Sequence, residues 1–122
     1  MKHAMSDQVA FLRGVYQSFN ARDLEGVLAC LHGDVEWANG QAGGHVHGRA
    51  GVRSYWTRQW ATIDPHVEPT RFSIGDDGEI VVEIHQTVRD LGGKLLADKK
   101  VGHVFRMEGG LIKRFDIRAI SE

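Results

Sequence analysis

"EIVVEIHQTVRDLGGKLLADKKVGHVFRMEGGLIKRFDI", residues 79–117, decides the fold. Its apolar and β-branched runs are broken only by "GG" and "EGG", and "VEPTRFSIG" precedes it across "DDG". Short glycine and aspartate turns between such runs are hairpin turns. Four strands are therefore expected: "VEPTRFSIG", "EIVVEIHQTVRDL", "KLLADKKVGHVFRM" and "LIKRFDIRAI", in an antiparallel meander. The third of these runs from Lys94 to Met107. At ~3.3 Å per residue it spans roughly 46 Å, against a radius of gyration of about 14 Å for a compact domain of this size. Such strands must bend, with Gly102 as the expected bulge or kink. A bent sheet wrapped over helices is a cone, and a cone has a cavity.

The helices come before the sheet. "SDQVAFLRGVYQSFNARD" carries Val9, Leu12, Tyr16 and Phe19 at helical spacing, with Ser6 as its cap. "DLEGVLACLHGD" reads as a short second helix, capped by Asp23 and stopped in the left-handed region at Gly33. "VEWAN" is a brief strand, and "GQAGGHVHG" a glycine-rich loop. A third helix covers Ala50 to about Thr62, with Val52, Trp56, Gln59, Trp60 and Ile63 along one side and Pro65 as its end. The fold class is α+β: three N-terminal helices packed on a strongly curved antiparallel meander sheet, a cone-shaped α+β barrel with an internal cavity.

The totals exclude several functions. The 122 residues fit one domain, 1–122, with a core over about 6–119. A formal net charge of -1, with acids and bases interspersed, leaves no electrostatic footprint for nucleic acid or an anionic membrane. No run approaches the ~20 apolar residues of a membrane span, and "MKHAMSDQ" lacks the apolar stretch of a secretory signal. Cys30 is the single cysteine, so no intrachain disulfide forms and a cytoplasmic location is expected.

Among residues that carry chemistry, His103 comes first. In "VGHVFRM" it shares a strand face with Val101, Phe105 and Met107, and an imidazole among apolar neighbours faces inward. Asp116 sits with Arg114 and Arg118 on the more polar face of its strand, where an ion-pair row is the alternative to an inward role. Glu83 and His85 share one face of "EIVVEIHQTV", opposite Ile80, Val82, Ile84 and Val88, and either face can be the inner one. "HVH" places His45 and His47 at the spacing of a strand-borne metal pair. Two donors do not make a site and no third is fixed by the sequence, so no metal is expected.

"FNARDLEGVLACLHGDVEW", the element order and the ending "VFRMEGGLIKRFDI" resemble the nuclear transport factor 2-like superfamily over roughly residues 6–119. That superfamily includes ketosteroid isomerases, SnoaL-type polyketide cyclases and limonene epoxide hydrolase; the SnoaL-like members are the nearest in kind. Matched to the ketosteroid isomerase pattern, Asn39 stands where the base belongs, Val15 where the tyrosine belongs, and His103 where the protonated aspartate belongs. A carboxamide takes no proton at neutral pH, and a positioned base supplies ~10²–10⁴ in rate, so that reaction is disfavoured. Epoxide hydrolase chemistry is disfavoured too, since "EIHQTVRD" offers only Glu83 and His85 at the strand that carries the family's carboxylate and arginine. The SnoaL-type ending His-Trp-Asp is echoed by "RFD", which implies Asp116 as the acid–base residue with His103 beside it.

The resemblance also implies a pocket between the third helix, the short strand and the sheet. Each aromatic ring there buries ~150–250 Å² and seeks a partner for its polar atom. The implied wall is Tyr16, Trp37, Asn39, Tyr55, Trp56, Trp60, His85 and Phe105, with Asn39 as a hydrogen-bonding group. The expected function is small-molecule binding by a homodimer with no cofactor. The ligand is apolar or aromatic and bears a carbonyl, and an acid–base isomerase or cyclase activity is one form of it. The alternative is a non-catalytic ligand-binding or dimerisation module.

Overall fold

The computed structural model of the chain describes residues 4–40 and 42–120. Its elements run α1 (Ala4–Asn20), α2 (Leu24–Leu28), β1 (Leu31–Ala38), β2 (His45–His47), α3 (Gly48–Thr62), β3 (Ile63–Ile74), β4 (Ile80–Asp90), β5 (Leu95–Glu108) and β6 (Leu111–Ala119). The α+β architecture is the expected one: helices packed on a curved, unclosed sheet. The sheet is larger than the meander, however, with six strands in the order β2-β1-β6-β5-β4-β3. β1 pairs parallel to β6, through Trp37 opposite Phe115, and β2 adds an antiparallel edge.

Several local expectations are corrected. α1 is already helical at Ala4, so Ser6 lies within it; the side chain read as the cap lies outside the described residues. α2 closes after Leu28, capped by Asp23, which accepts from the Gly26 amide at 3.0 Å. Gly33 is therefore not a helix stop but a residue of β1, because Leu31 already pairs with Ile112. The glycine loop contains the short strand β2. α3 ends at Thr62, and Pro65 lies inside β3, which starts directly at Ile63.

The long strands bend by slipping register elsewhere than at Gly102. Shifts fall between Val88 and Arg89, and between Arg106 and Met107, whereas Gly102 pairs in step with Glu83 and Arg118. That glycine makes room for a neighbour: a Cβ on it would stand 3.1 Å from Cγ of Arg118. At the β5–β6 turn, Gly109 and Gly110 both take positive φ (62° and 82°), the pair of left-handed residues a two-residue hairpin loop requires.

Register assigns the faces. Residues directly opposite in a pair share a side, so Val82, His103 and Ile117 share one, as do Ile80, Phe105 and Phe115. This inner side packs on the helices through Leu12, Val15, Tyr16, Val52 and Trp56, all buried. One clamp ties α1 to β3: Asn20 donates to the Val67 carbonyl at 2.8 Å and accepts from its amide at 3.0 Å.

Candidate functional site

Between the inner sheet face, α1 and α3 lies a cavity of about 560 Å³, within the usual range for small-molecule sites. Its walls are rings. Trp37 stacks on Phe115 at 4.1 Å and meets Trp56 edge-on at 5.0 Å. Phe105 lies tilted on Phe115, 5.2 Å between centroids. Offset and edge contacts of this kind hold rings rigidly without filling the space between them.

His103 is the only buried polar or charged residue among the described residues. Burial lowers its pKa from 6.5 to about 3, so the ring is neutral at physiological pH. Its Nδ1 lies 2.8 Å from the Tyr16 hydroxyl, which is itself buried and whose pKa burial raises well above 10. The Tyr16 proton has no other acceptor among the described residues, so Tyr16 donates to Nδ1. The imidazole then carries its proton on Nε2, and the ring borders the cavity. A neutral imidazole held this way is a donor that can polarise a carbonyl, not a base.

Asp116 does not meet His103. It pairs with Val104, while His103 pairs with Ile117, so the two side chains leave the sheet on opposite faces. The side-by-side placement of His103 and Asp116 expected from the resemblance is corrected on that ground. Asp116 lies in the ion-pair row that strand parity offered as the alternative. Arg114 donates to it from Nε at 2.8 Å and reaches Glu36 at 2.7 Å. His45 Nε2 lies 2.8 Å from its other oxygen. Burial pushes the Asp116 carboxyl up, but the bonds from Arg114 and His45 outweigh it and hold the pKa below the usual carboxylate value. Asp116 and His45 nonetheless border the cavity beside Gly43 and Gly44.

Of the remaining expected residues, Tyr16, Trp37, Asn39, Tyr55, Trp56 and Phe105 line the cavity. Two do not. His85 is on the outer face, exposed, with Nε2 2.6 Å from Asp98. The inner face of β4 is the one bearing Val82, Ile84, Gln86 and Val88, which also places Glu83 outside. Trp60 packs behind the wall, stacked on Trp56 at 5.9 Å and with the Arg22 guanidinium 5.2 Å from its ring centroid. Asn39 organises the glycine loop: its Oδ1 accepts from the Ala42 amide at 2.9 Å, and its backbone exchanges bonds with Gly43 and Gly44.

Sequence reading missed Gln86 and Lys99, which pair with each other at the cavity's far end. The signal was present, since Gln86 continues the parity of Val82 and Ile84. Among the described residues no group of three His, Cys, Asp or Glu side chains is placed to hold a metal ion. Nor is any helix long and apolar enough to cross a membrane.

The SnoaL-like domain family matches residues 12–115. None of the curated proteins matches the chain. Among solved structures, an NTF2-like protein of unknown function from Burkholderia pseudomallei K96243 is similar at 29% identity and TM-score 0.79, over 92% of this chain and 89% of that one. TerC co-crystallised with polyporic acid shares 25% identity with TM-score 0.78, over 92% and 90%. Rv0760c from Mycobacterium tuberculosis, in complex with estradiol-17β-hemisuccinate, has the same fold at 18% identity and TM-score 0.75, over 88% of each chain.

Proposed function

The chain belongs to the SnoaL-like domain family of the nuclear transport factor 2-like superfamily, and from that premise we propose that it binds an apolar, ring-bearing small molecule through a carbonyl oxygen facing His103. The observation that carries this reading is the Tyr16–His103 pair, a neutral donor fixed by a buried hydroxyl beside the aromatic part of the cavity wall. Leaving such a donor unpaired in an apolar space costs free energy that a ligand oxygen recovers. The co-crystal of TerC with polyporic acid supports a small-molecule ligand.

Calorimetric titration with 1-tetralone and with tetralin, its carbonyl-free counterpart, tests the reading. The Tyr16→Phe/His103→Phe variant replaces both polar groups together. It is expected to lose about tenfold in affinity for 1-tetralone and to bind tetralin unchanged. Equal losses for both, or none, would remove His103 from the role.

A second reading is favoured by the His45–Asp116 contact at 2.8 Å, which borders the same cavity. In it the protein is an acid–base isomerase or cyclase in which Asp116, on the last strand as in SnoaL-type cyclases, moves the proton. Once a bound metabolite is identified by native mass spectrometry, Asp116→Asn is expected to retain binding and abolish turnover. Recovery of that metabolite unchanged after long incubation with the unsubstituted protein favours a pure binder. The protein is further proposed to act in the cytoplasm as a homodimer. The outer sheet face supports the dimer, with a groove lined by Val81, Ala119 and Ile120 among Arg71, Glu83 and Arg118. Sedimentation as a monomer at micromolar concentration would contradict it.

A further inference from the structure

Three of the five large apolar side chains that stand exposed among the described residues crowd one end of the molecule, the β4–β5 turn. Leu91 is 64% exposed, Leu95 45% and Leu96 53%. Leu91 belongs to the turn itself, and Leu95 and Leu96 open β5, so the leucines cap the end of a hairpin instead of covering a face of the sheet. An apolar end is the shape that enters a bilayer surface while the sheet behind it stays in water.

The turn also satisfies its own backbone. The amides of Gly92 and Lys94 both donate to the Asp90 carboxylate at 2.9 Å, and the Gly93 amide donates to the Asp90 carbonyl at 3.0 Å. The Lys94 carbonyl accepts from the Asp90 amide at 2.8 Å, and the Gly93 carbonyl from Arg89 at 3.2 Å. A turn whose polar groups are paired loses little on leaving water.

Charge agrees with shape. The chain's even overall balance conceals a local excess of cations: residues 89–100 hold Arg89, Lys94, Lys99 and Lys100 against Asp90 and Asp98. Both carboxylates are engaged, Asp90 by the turn amides and Asp98 by His85 at 2.6 Å. The three lysines have no ion-pair partner among the described residues. Cations beside an apolar tip attract anionic headgroups, at about 1 kcal/mol for each lysine near the surface.

We infer that the β4–β5 hairpin tip docks the protein on an anionic phospholipid surface, with Leu91, Leu95 and Leu96 seated among the headgroups and the lysines around them. Val88 and Ala97, the pair just behind the tip, line the cavity, so docking sets that end of the cavity beside the bilayer.

Co-sedimentation with phosphatidylcholine vesicles, with and without an equal part of phosphatidylserine, tests the inference. The unsubstituted protein is expected to partition at least about tenfold more strongly onto the mixed vesicles. Leu91→Ser/Leu95→Ser/Leu96→Ser should lose about tenfold or more on them, and Lys94→Gln/Lys100→Gln about fivefold for each lysine removed. All five side chains lie at the exposed tip, and equal urea midpoints would show the fold intact. Failure of the unsubstituted protein to bind the mixed vesicles would overturn the inference, and so would serine variants that bind them undiminished. Without lipid, slower sedimentation of the serine variant would mean that the leucines join copies of this chain, which also overturns it.

Discussion

On β5, His103 points into the cavity; on β4, His85 points out of the same sheet. The inner imidazole has a phenol for its partner, and burial drives its pKa to about 3. The outer one has the Asp98 carboxylate and remains in solvent. The pattern repeats on β3, where His66 meets Glu68. One residue of parity thus separates two kinds of chemistry. Outside, imidazoles join solvated ion pairs, which contribute little to stability. Inside, the single imidazole is a dipole whose placement is costly to disturb.

Substitutions can break this comparison, and the largest effect belongs to the inner rings. Phe105, 1% exposed, touches Trp37, His103 and Phe115. Phe105→Ala is expected to cost about 3–5 kcal/mol, read as a lower urea midpoint; a loss below about 1 kcal/mol would mean the inner wall is not a packed core. Acid is the next lever. The unfolded imidazole titrates near 6.5 and the folded one near 3, so the unfolded chain takes up the proton first as pH falls. The stability His103 contributes is complete above about pH 6.5 and is lost progressively down to about 3, by up to about 5 kcal/mol. Urea midpoints over that window should fall more steeply for the unsubstituted protein than for Tyr16→Phe/His103→Phe, and parallel slopes would show that the ring is not desolvated.

Tyr16→Phe alone is a smaller change. It removes the donor to Nδ1 and should cost about 1–3 kcal/mol. It should also release the Nε2–H tautomer, visible as a change in the imidazole ¹⁵N shifts; identical shifts would mean Tyr16 does not set the tautomer. The smallest effect is expected outside. Breaking the exposed His85–Asp98 pair with His85→Ala should move stability by less than about 1 kcal/mol, and a loss like that of Phe105→Ala would erase the contrast between the faces.

Local chemistry made much of this legible. "DDG", "GG" and "EGG" marked the hairpins because left-handed glycines leave a sequence signature, and the Val101–His103–Phe105 alternation turned His103 inward. Non-local pairing hid the rest. Helix-like residues after Leu28 became strand because Ile112, some eighty positions later in the chain, pairs with Leu31. β2 has only three residues and no periodicity to detect. On β4 both faces carry valine or isoleucine, so parity alone did not distinguish inside from outside. For Asp116 the polar pattern foretold the surroundings, because Arg114 and His45 bond its two carboxylate oxygens. Tyr55 could be placed at the pocket, but no pattern displays the loop amide of Gly40 that bonds its hydroxyl.

The seat of β6 between β1 and β5 has a consequence for the timing of synthesis. Leu31–Ala38 leaves the ribosome long before Leu111–Ala119, its parallel neighbour, exists. The meander β3-β4-β5 can zip up as it emerges, whereas Trp37, paired with Val46 of β2, lacks its stacking partner Phe115 until β6 is translated. The aromatic wall is therefore completed only after the meander strands have emerged. Until then, the early helices and β1 expose the surface that a holding chaperone would recognise.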